Sequence, residues 1–346
     1  MVQFREIESK PQASKRASTD KKTRLSLAKI GGDLSKNNKI ESPAVSDESR
    51  KLLYEQASAY ISEVLNALRS RKGFALEKGF EIIRKIVAGN HPLDPVLILA
   101  LHQDDLRQYV TQHPVNVAVF AIKMAAHLGF EESKQVEIGM SGLLHDVGMV
   151  AVPDKILYKQ GRLNAEEMKV FRQRPNFSSK ILGTLGREYA YLAECAAQVY
   201  ERIDGSGYPR GLKAAEMHEY AQIIGLLDMY ESLIHSRPQR GKRTPFAAVK
   251  EIINTSKAHF QKKYLKALLS VFTAFPIHSY VRLNSDAIGK VIETYPDQPL
   301  RPKIQIIYDS QKRKVLTEKI VALPEDPLLY IVDSITEKEI GRLTGP

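Results

Sequence analysis

Two short segments constrain this chain more than any other feature. Leu143-Leu144-His145-Asp146-Val147-Gly148 sets a His-Asp doublet behind two leucines, and Asp204-Gly205-Ser206-Gly207-Tyr208-Pro209 forms a loop further on. Imidazole nitrogens and carboxylate oxygens are the side-chain donors that suit first-row divalent cations. A doublet alone also fits a plainer role at a helix C-terminus, where it meets the helix dipole. Asp228 resists a plain explanation. It lies within Ile223-Ile224-Gly225-Leu226-Leu227-Asp228-Met229-Tyr230, too deep in an apolar helix to be a cap. A carboxylate there is costly unless a cation meets it. His113 is a further imidazole earlier in the chain, although a lone helical histidine is more often a satisfied core or surface group.

Composition narrows the setting. At 43% hydrophobic, the 346 residues suffice for roughly two domains and a substantial core. The single cysteine, Cys195, excludes an internal disulfide and reads as a packed apolar thiol. There is no apolar run long enough for a membrane helix and no signal-like apolar core, so the expected location is cytoplasmic. The net charge is +11, and residues 1–40 carry ten Lys/Arg against four Asp/Glu. Residues 1–45 are therefore expected to be a disordered basic tail. Nucleic-acid binding would rest on that tail alone, because no aromatic-basic motif accompanies it, and is not favoured.

Periodicity divides the rest. Leu53, Ala57, Tyr60, Ile61, Val64 and Leu65 recur at helical spacing, and residues 46–105 read as a small helical module. Residues 106–276 read as helical throughout, with Asn164 and Glu167 as a capping box. From 277 to 346 the texture becomes short strands: Tyr280–Leu283, Ala287–Glu293, Lys303–Tyr308, Val315–Val321 and Leu328–Val332. The expected fold is mainly α: an all-helical bundle preceded by a helical module and followed by a small C-terminal β-sheet or barrel.

Together, the His-Asp doublet, the Asp-Gly-Ser-Gly-Tyr-Pro loop and the run from Asp228 to Arg240 resemble the HD-GYP branch of the HD metal-dependent phosphohydrolases. The resemblance extends to Tyr109–Ala118, Val152–Lys159 and Gly161–Leu163, and so covers most of the chain. It implies an HD-type bundle and a metal-dependent phosphodiesterase of bacterial cyclic di-GMP, with His113, His145, Asp146 and Asp228, in the family's order, as ligands of the first metal and iron or manganese as that metal. It also implies a ligand-contacting loop of Asp204, Gly205, Gly207, Tyr208 and Pro209, with Arg237, Arg240 and Lys159 available to phosphates. Docking of a diguanylate cyclase (GGDEF) domain at the loop is a further implication.

Several positions depart from that pattern. Arg174-Pro175 stands where the family carries His-Pro, Val199-Tyr200 where it carries a His pair, and Met149 where it carries Lys. Tyr109 stands where some members carry an additional metal-binding Glu. A guanidinium has no lone pair for a metal, and valine has no donor atom. A second metal is therefore disfavoured, and with it the two-metal clamp on a phosphate. The expectation is one retained divalent cation, with Arg174 beside Asp146 standing in for the missing charge. The favoured reading is a degenerate phosphodiesterase that acts by binding cyclic di-GMP, a related nucleotide or a partner. The alternative is an active one-metal hydrolase, with Asp146 and Arg174 as its catalytic groups.

Overall fold

The computed structural model describes residues 47–341, except 90–94, 103–104, 106–107, 238–240, 273–274, 276, 296–297, 299 and 336–338. The basic segment 1–45 and Arg240 lie outside the described residues. Helix α1 (Asp47–Arg69) buries Leu53, Ala57, Tyr60, Ile61, Val64 and Leu65, the stripe read from spacing, together with Tyr54. Helices α2 (Glu77–Ala88) and α3 (Pro95–His102) follow, and Pro95 sits at the first helical position, where its missing N–H costs nothing. Helix α4 (Tyr109–His127) is buried on nearly every side and forms the centre of the bundle. Around it lie α5 (Glu132–Leu144), α6 (Asp154–Leu157), α7 (Ala165–Phe171), α8 (Arg174–Leu182), α9 (Ala190–Gln198), α10 (Glu219–Ile234), α11 (Pro245–Ser256) and α12 (Lys262–Val271). No helix among the described residues is long and apolar enough to cross a membrane.

One continuous apolar core runs from Leu53 in α1 to Phe272 just after α12. The first three helices thus share their interior with the bundle. The capping box forms as read: Asn164 Oδ1 accepts from Glu167 N at 2.9 Å, and Glu167 Oε2 accepts from Asn164 N at 2.8 Å. Cys195 is fully buried, and burial pushes its thiol well above the ordinary range.

The C-terminal strands are β1 (Tyr280–Leu283), β2 (Ile288–Glu293), β3 (Lys303–Tyr308), β4 (Ile320–Ala322) and β5 (Ile331–Ile335). They form an antiparallel sheet in the order β4-β3-β2-β1-β5, over a core that includes Phe275, Val281, Leu283, Val291, Ile304 and Leu323. Two strand expectations need correction. Val315–Val321 shortens to β4, with Leu316 90% exposed, and Leu328–Val332 shifts to β5, with Leu328 81% exposed. Arg301 accounts for the second. Its guanidinium donates to the carbonyls of Leu323, Asp326 and Leu329, which holds residues 323–329 in a loop instead of a ladder.

Gly148 seats α8 against the turn that follows the His-Asp doublet. A Cβ there would lie 2.3 Å from Arg174 O and 2.6 Å from Ser178 N, both main-chain atoms that cannot rotate away. The Gly148 amide also donates to Ser178 Oγ at 2.8 Å. Gly148→Ala is expected to destabilise the protein by about 2–3 kcal/mol through this overpacking. Urea denaturation followed by circular dichroism tests it, and unchanged stability would mean that α8 does not dock this closely.

Candidate metal centre

His113 comes from the second turn of the buried α4, His145 from the C-cap of α5, Asp146 from the next position, and Asp228 from α10. Leu143 and Leu144 are buried in the core, which fixes the direction in which the doublet leaves α5. One ligand atom each from His113, His145 and Asp146 lies within 4.8 Å of the others, and all three residues are buried. The two imidazoles meet edge to face, with centroids 5.3 Å apart. Asp228 Oδ1 lies 3.0 Å from His113 Nε2 and 3.5 Å from His145 Nε2. The fold thus brings together all four residues read from the sequence.

The outer nitrogens decide which lone pairs face inward. His145 Nδ1 lies 2.7 Å from Gly142 O, which can only accept, so this nitrogen carries the proton and Nε2 turns to the centre. His113 Nδ1 lies 2.5 Å from Glu231 Oε2 and 2.9 Å from Arg237 Nη2; the carboxylate oxygen is the nearer, so Nδ1 donates to it, Arg237 donates to Glu231 instead, and Nε2 turns to the centre. Outer-shell acceptors of this kind orient metal-binding histidines generally. His145 Nε2 and Asp146 Oδ1 are buried without a hydrogen-bond partner. Unmet buried donor atoms converging on one point are a costly arrangement in an empty site and a natural one around a cation. The residues present therefore fit one divalent metal.

Two carboxylates on α10 are held ionised. Burial alone would raise Asp228, but the proximity of the His113 and His145 rings outweighs it and holds the carboxyl well below the ordinary range. Burial would likewise raise Glu231, yet the charges of His113 and Arg237 prevail and lower it strongly. Glu231 lies one helical turn beyond Asp228 and was not among the residues singled out from the sequence. A second carboxylate on the same apolar helix, 2% exposed, was the available signal.

The positions that depart from the family pattern assemble into one cluster. Arg174 Nη1 donates to Asp146 Oδ2 at 2.6 Å, with side-chain exposures of 9% and 1%. The guanidinium carbon lies 3.9 Å from the ring centre of Phe171 and 4.8 Å from that of Tyr200, and Nε donates to Phe171 O at 3.1 Å. Met149 Sδ is 3.6 Å from Arg174 Nη1, where a lysine would set a second cation against the first. Burial opposes the charge on Arg174, but Asp146 and the neighbouring tyrosines outweigh it, so the side chain stays protonated. Burial pushes the Tyr200 phenol well up against the pull of Arg174, so it offers no phenolate to a metal. Val199 is fully buried in the core. These residues do not fit a second cation.

The glycine-tyrosine-proline loop is joined to the same cluster. The Tyr208 ring stacks parallel on Tyr200 with centroids 5.2 Å apart, and the Arg172 guanidinium lies over Tyr208 at 5.1 Å. Pro209 follows Tyr208 through a cis peptide bond. Asp204 accepts from Ser206 N and Oγ, and Gly205 adopts a φ of 82° that favours glycine. A Cβ on Gly207 would sit 2.4 Å from Glu201 Cα, so this glycine allows the loop to lie on its own base. Glu201, 1% exposed, accepts from Arg210 N and Leu212 N, and so organises a loop whose other residues had drawn the sequence argument.

Two residues expected to contact phosphates are paired within the protein. Arg237 Nη2 donates to Glu231 Oε2 at 2.8 Å, and its guanidinium lies over the Tyr109 ring. Lys159 binds both oxygens of Glu167, the capping-box residue.

Comparison with known proteins agrees with this geometry. Residues 97–263 match the HD domain, and residues 280–343 match a KOW domain associated with HD domains. A cyclic di-GMP phosphodiesterase of Pseudomonas aeruginosa, PA4108, is 26% identical over 79% of this chain and 66% of its own length. The cyclic di-GMP phosphodiesterase PdeB of Borreliella burgdorferi is 28% identical over 58% of this chain and 52% of its own length. The chain therefore spans about half to two thirds of these curated relatives. Among solved structures, Bd1817, an HDG"Y"P protein from Bdellovibrio bacteriovorus, aligns with a TM-score of 0.54 at 16% identity, covering 66% of this chain and 73% of that one, a likeness of fold. With its His-Asp doublet, its glycine-tyrosine-proline loop and these matches, the chain belongs to the HD-GYP family of HD-domain proteins.

Proposed function

We propose that this protein is a cyclic di-GMP signalling protein on an HD-GYP scaffold, a degenerate phosphodiesterase that works by binding its nucleotide or a protein partner. The observation that carries the reading is the buried contact between Arg174 Nη1 and Asp146 Oδ2 at 2.6 Å. A two-metal hydrolase needs a carboxylate that bridges two cations. Here one oxygen of Asp146 is taken by a permanent, non-exchangeable cation, while the other, Oδ1, is left to a single metal. His113, His145, Asp146 and Asp228 would hold that metal, with iron or manganese best suited by the mixed imidazole and carboxylate set.

Bound there, a divalent cation would supply Lewis acidity toward a phosphate oxygen. The remaining roles fall to this chain's own residues. Arg174 neutralises Asp146 and spends Nε on the Phe171 carbonyl, which leaves little of the guanidinium for a transition state. Tyr208 and Arg172, packed together beside Tyr200, offer a nucleotide an aromatic ring and a cation. The exposed Asp204 and Pro209 offer loop surface to a partner, with a GGDEF domain as the family's example. A second reading, an active one-metal phosphodiesterase of cyclic di-GMP, is favoured by the intact four-residue set.

Metal analysis of the purified chain, calorimetry with cyclic di-GMP and a hydrolysis assay in manganese or ferrous iron separate the two readings. The expected outcome is about one metal per chain and nucleotide binding without turnover. Robust turnover abolished by His145→Ala would establish the second reading, and two metals per chain would overturn the argument from Arg174.

Arg174→Ala supplies an independent check. It leaves Asp146 buried without its counter-charge, a change expected to cost about 3–5 kcal/mol. Because a second divalent ion can then approach the freed oxygen, added manganese should recover more stability in the variant than in the parent. Thermal melts with and without manganese test this, and equal recovery in both would count against a charge-replacing role.

A further inference from the structure

A buried chain of hydrogen bonds leads from α1 to the metal centre. Tyr54 Oη donates to Asn116 Oδ1 at 2.7 Å, Asn116 Nδ2 donates to Glu231 Oε1 at 3.0 Å, and His113 Nδ1 meets Glu231 Oε2 at 2.5 Å. None of the four residues is more than 3% exposed. The direction of each bond is set by its neighbour. Glu231 Oε2 accepts from Arg237 Nη2, a group that can only donate, and Glu231 Oε1 faces the Asn116 amide nitrogen, which leaves the amide oxygen to Tyr54. Tyr54 must then donate, and burial next to Glu231 keeps its phenol protonated. Tyr54 lies in α1, outside residues 97–263 that match the HD domain.

The geometry points to Tyr54 as a positioning residue for the metal centre: through Asn116 and Glu231 it holds the His113 imidazole with Nε2 facing the ion. The inference rests on the metal-site reading above. Its physical content is the orientation of a carboxylate. Glu231 Oε2 serves both His113 Nδ1 and Arg237 Nη2, so any rotation of the carboxylate disturbs the His113 contact. Asn116 Nδ2 at 3.0 Å and His235 Nδ1 at 3.2 Å restrain that rotation through Oε1, and Tyr54 fixes the Asn116 share by satisfying the amide oxygen. Displacing α1 would thus be felt at His113, although no residue of α1 is among the expected metal ligands.

Tyr60 provides an internal control. It belongs to the same helix, is equally buried at 2% exposure, and donates its hydroxyl to Ala75 O at 3.0 Å, with no link to the centre. The test uses the full chain and cobalt(II) as the probe, because its d–d absorption reports ligand geometry as well as occupancy. Tyr54→Phe is expected to weaken cobalt binding about three- to tenfold, at or below the usual effect of removing an outer-shell partner, and to shift the absorption bands. Tyr60→Phe should leave affinity and bands unchanged even if it lowers the melting temperature. Equal effects from both variants, or none from Tyr54→Phe, would overturn the inference while leaving the metal centre intact. Failure of the unsubstituted chain to bind cobalt, manganese or ferrous iron would overturn the metal-site reading itself, and the inference with it.

Discussion

A buried carboxylate must have a counter-charge, and Asp146 is the one on which this structure turns. It projects from the end of α5 with its side chain 1% exposed, where an unpaired charge would cost more than most single interactions contribute. Arg174 meets one of its oxygens. The consequences spread outward from that contact. A guanidinium needs flat faces to lie on, and Phe171 and Tyr200 provide them. A lysine beside it would repel, and Met149 stands there. Tyr208 then stacks on Tyr200, so the glycine-tyrosine-proline loop is held by the same cluster that replaces a cation.

The other oxygen of Asp146 belongs to a different electrostatic environment. His145 Nε2 and Asp146 Oδ1 are buried without partners, next to an Asp228 held ionised by two imidazoles. In the proposed reading, the Arg174 side of the centre is filled with protein, while the other side keeps donor atoms free for an ion. Single substitutions read along the sequence suggest gradual loss of a site. In three dimensions, Met149 and Tyr200 both meet Arg174 and form one cluster.

Much of this was legible in the chain. His113, His145, Asp146 and Asp228 announced themselves because charged or imidazole groups on apolar helices need a reason, and the approach of Arg174 to Asp146 followed from counting charges. The α1 stripe and the boundaries of β1 and β3 followed from periodicity. Other features left no local trace. Glu231 lies a turn beyond Asp228, but its partners Asn116 and His113 are more than a hundred residues away. Arg237 read as a phosphate ligand because a loop arginine has no visible partner in one dimension, whereas the fold gives it Glu231. The β5 boundary slipped because the Arg301 guanidinium gathers carbonyls from residues that precede β5 and are distant in sequence from Arg301 itself.

The sequence by itself determined the helical bundle, the C-terminal strands and the identity of the donor atoms, because helical and strand periodicity and the chemistry of side chains are properties of near neighbours. Tertiary structure alone decided which nitrogen of each histidine faces inward, which oxygen of Asp146 stays free, and which arginine is spent on an internal carboxylate. Those outcomes depend on hydrogen bonds between residues that share no local pattern, and a bond has direction only when both of its partners are in place.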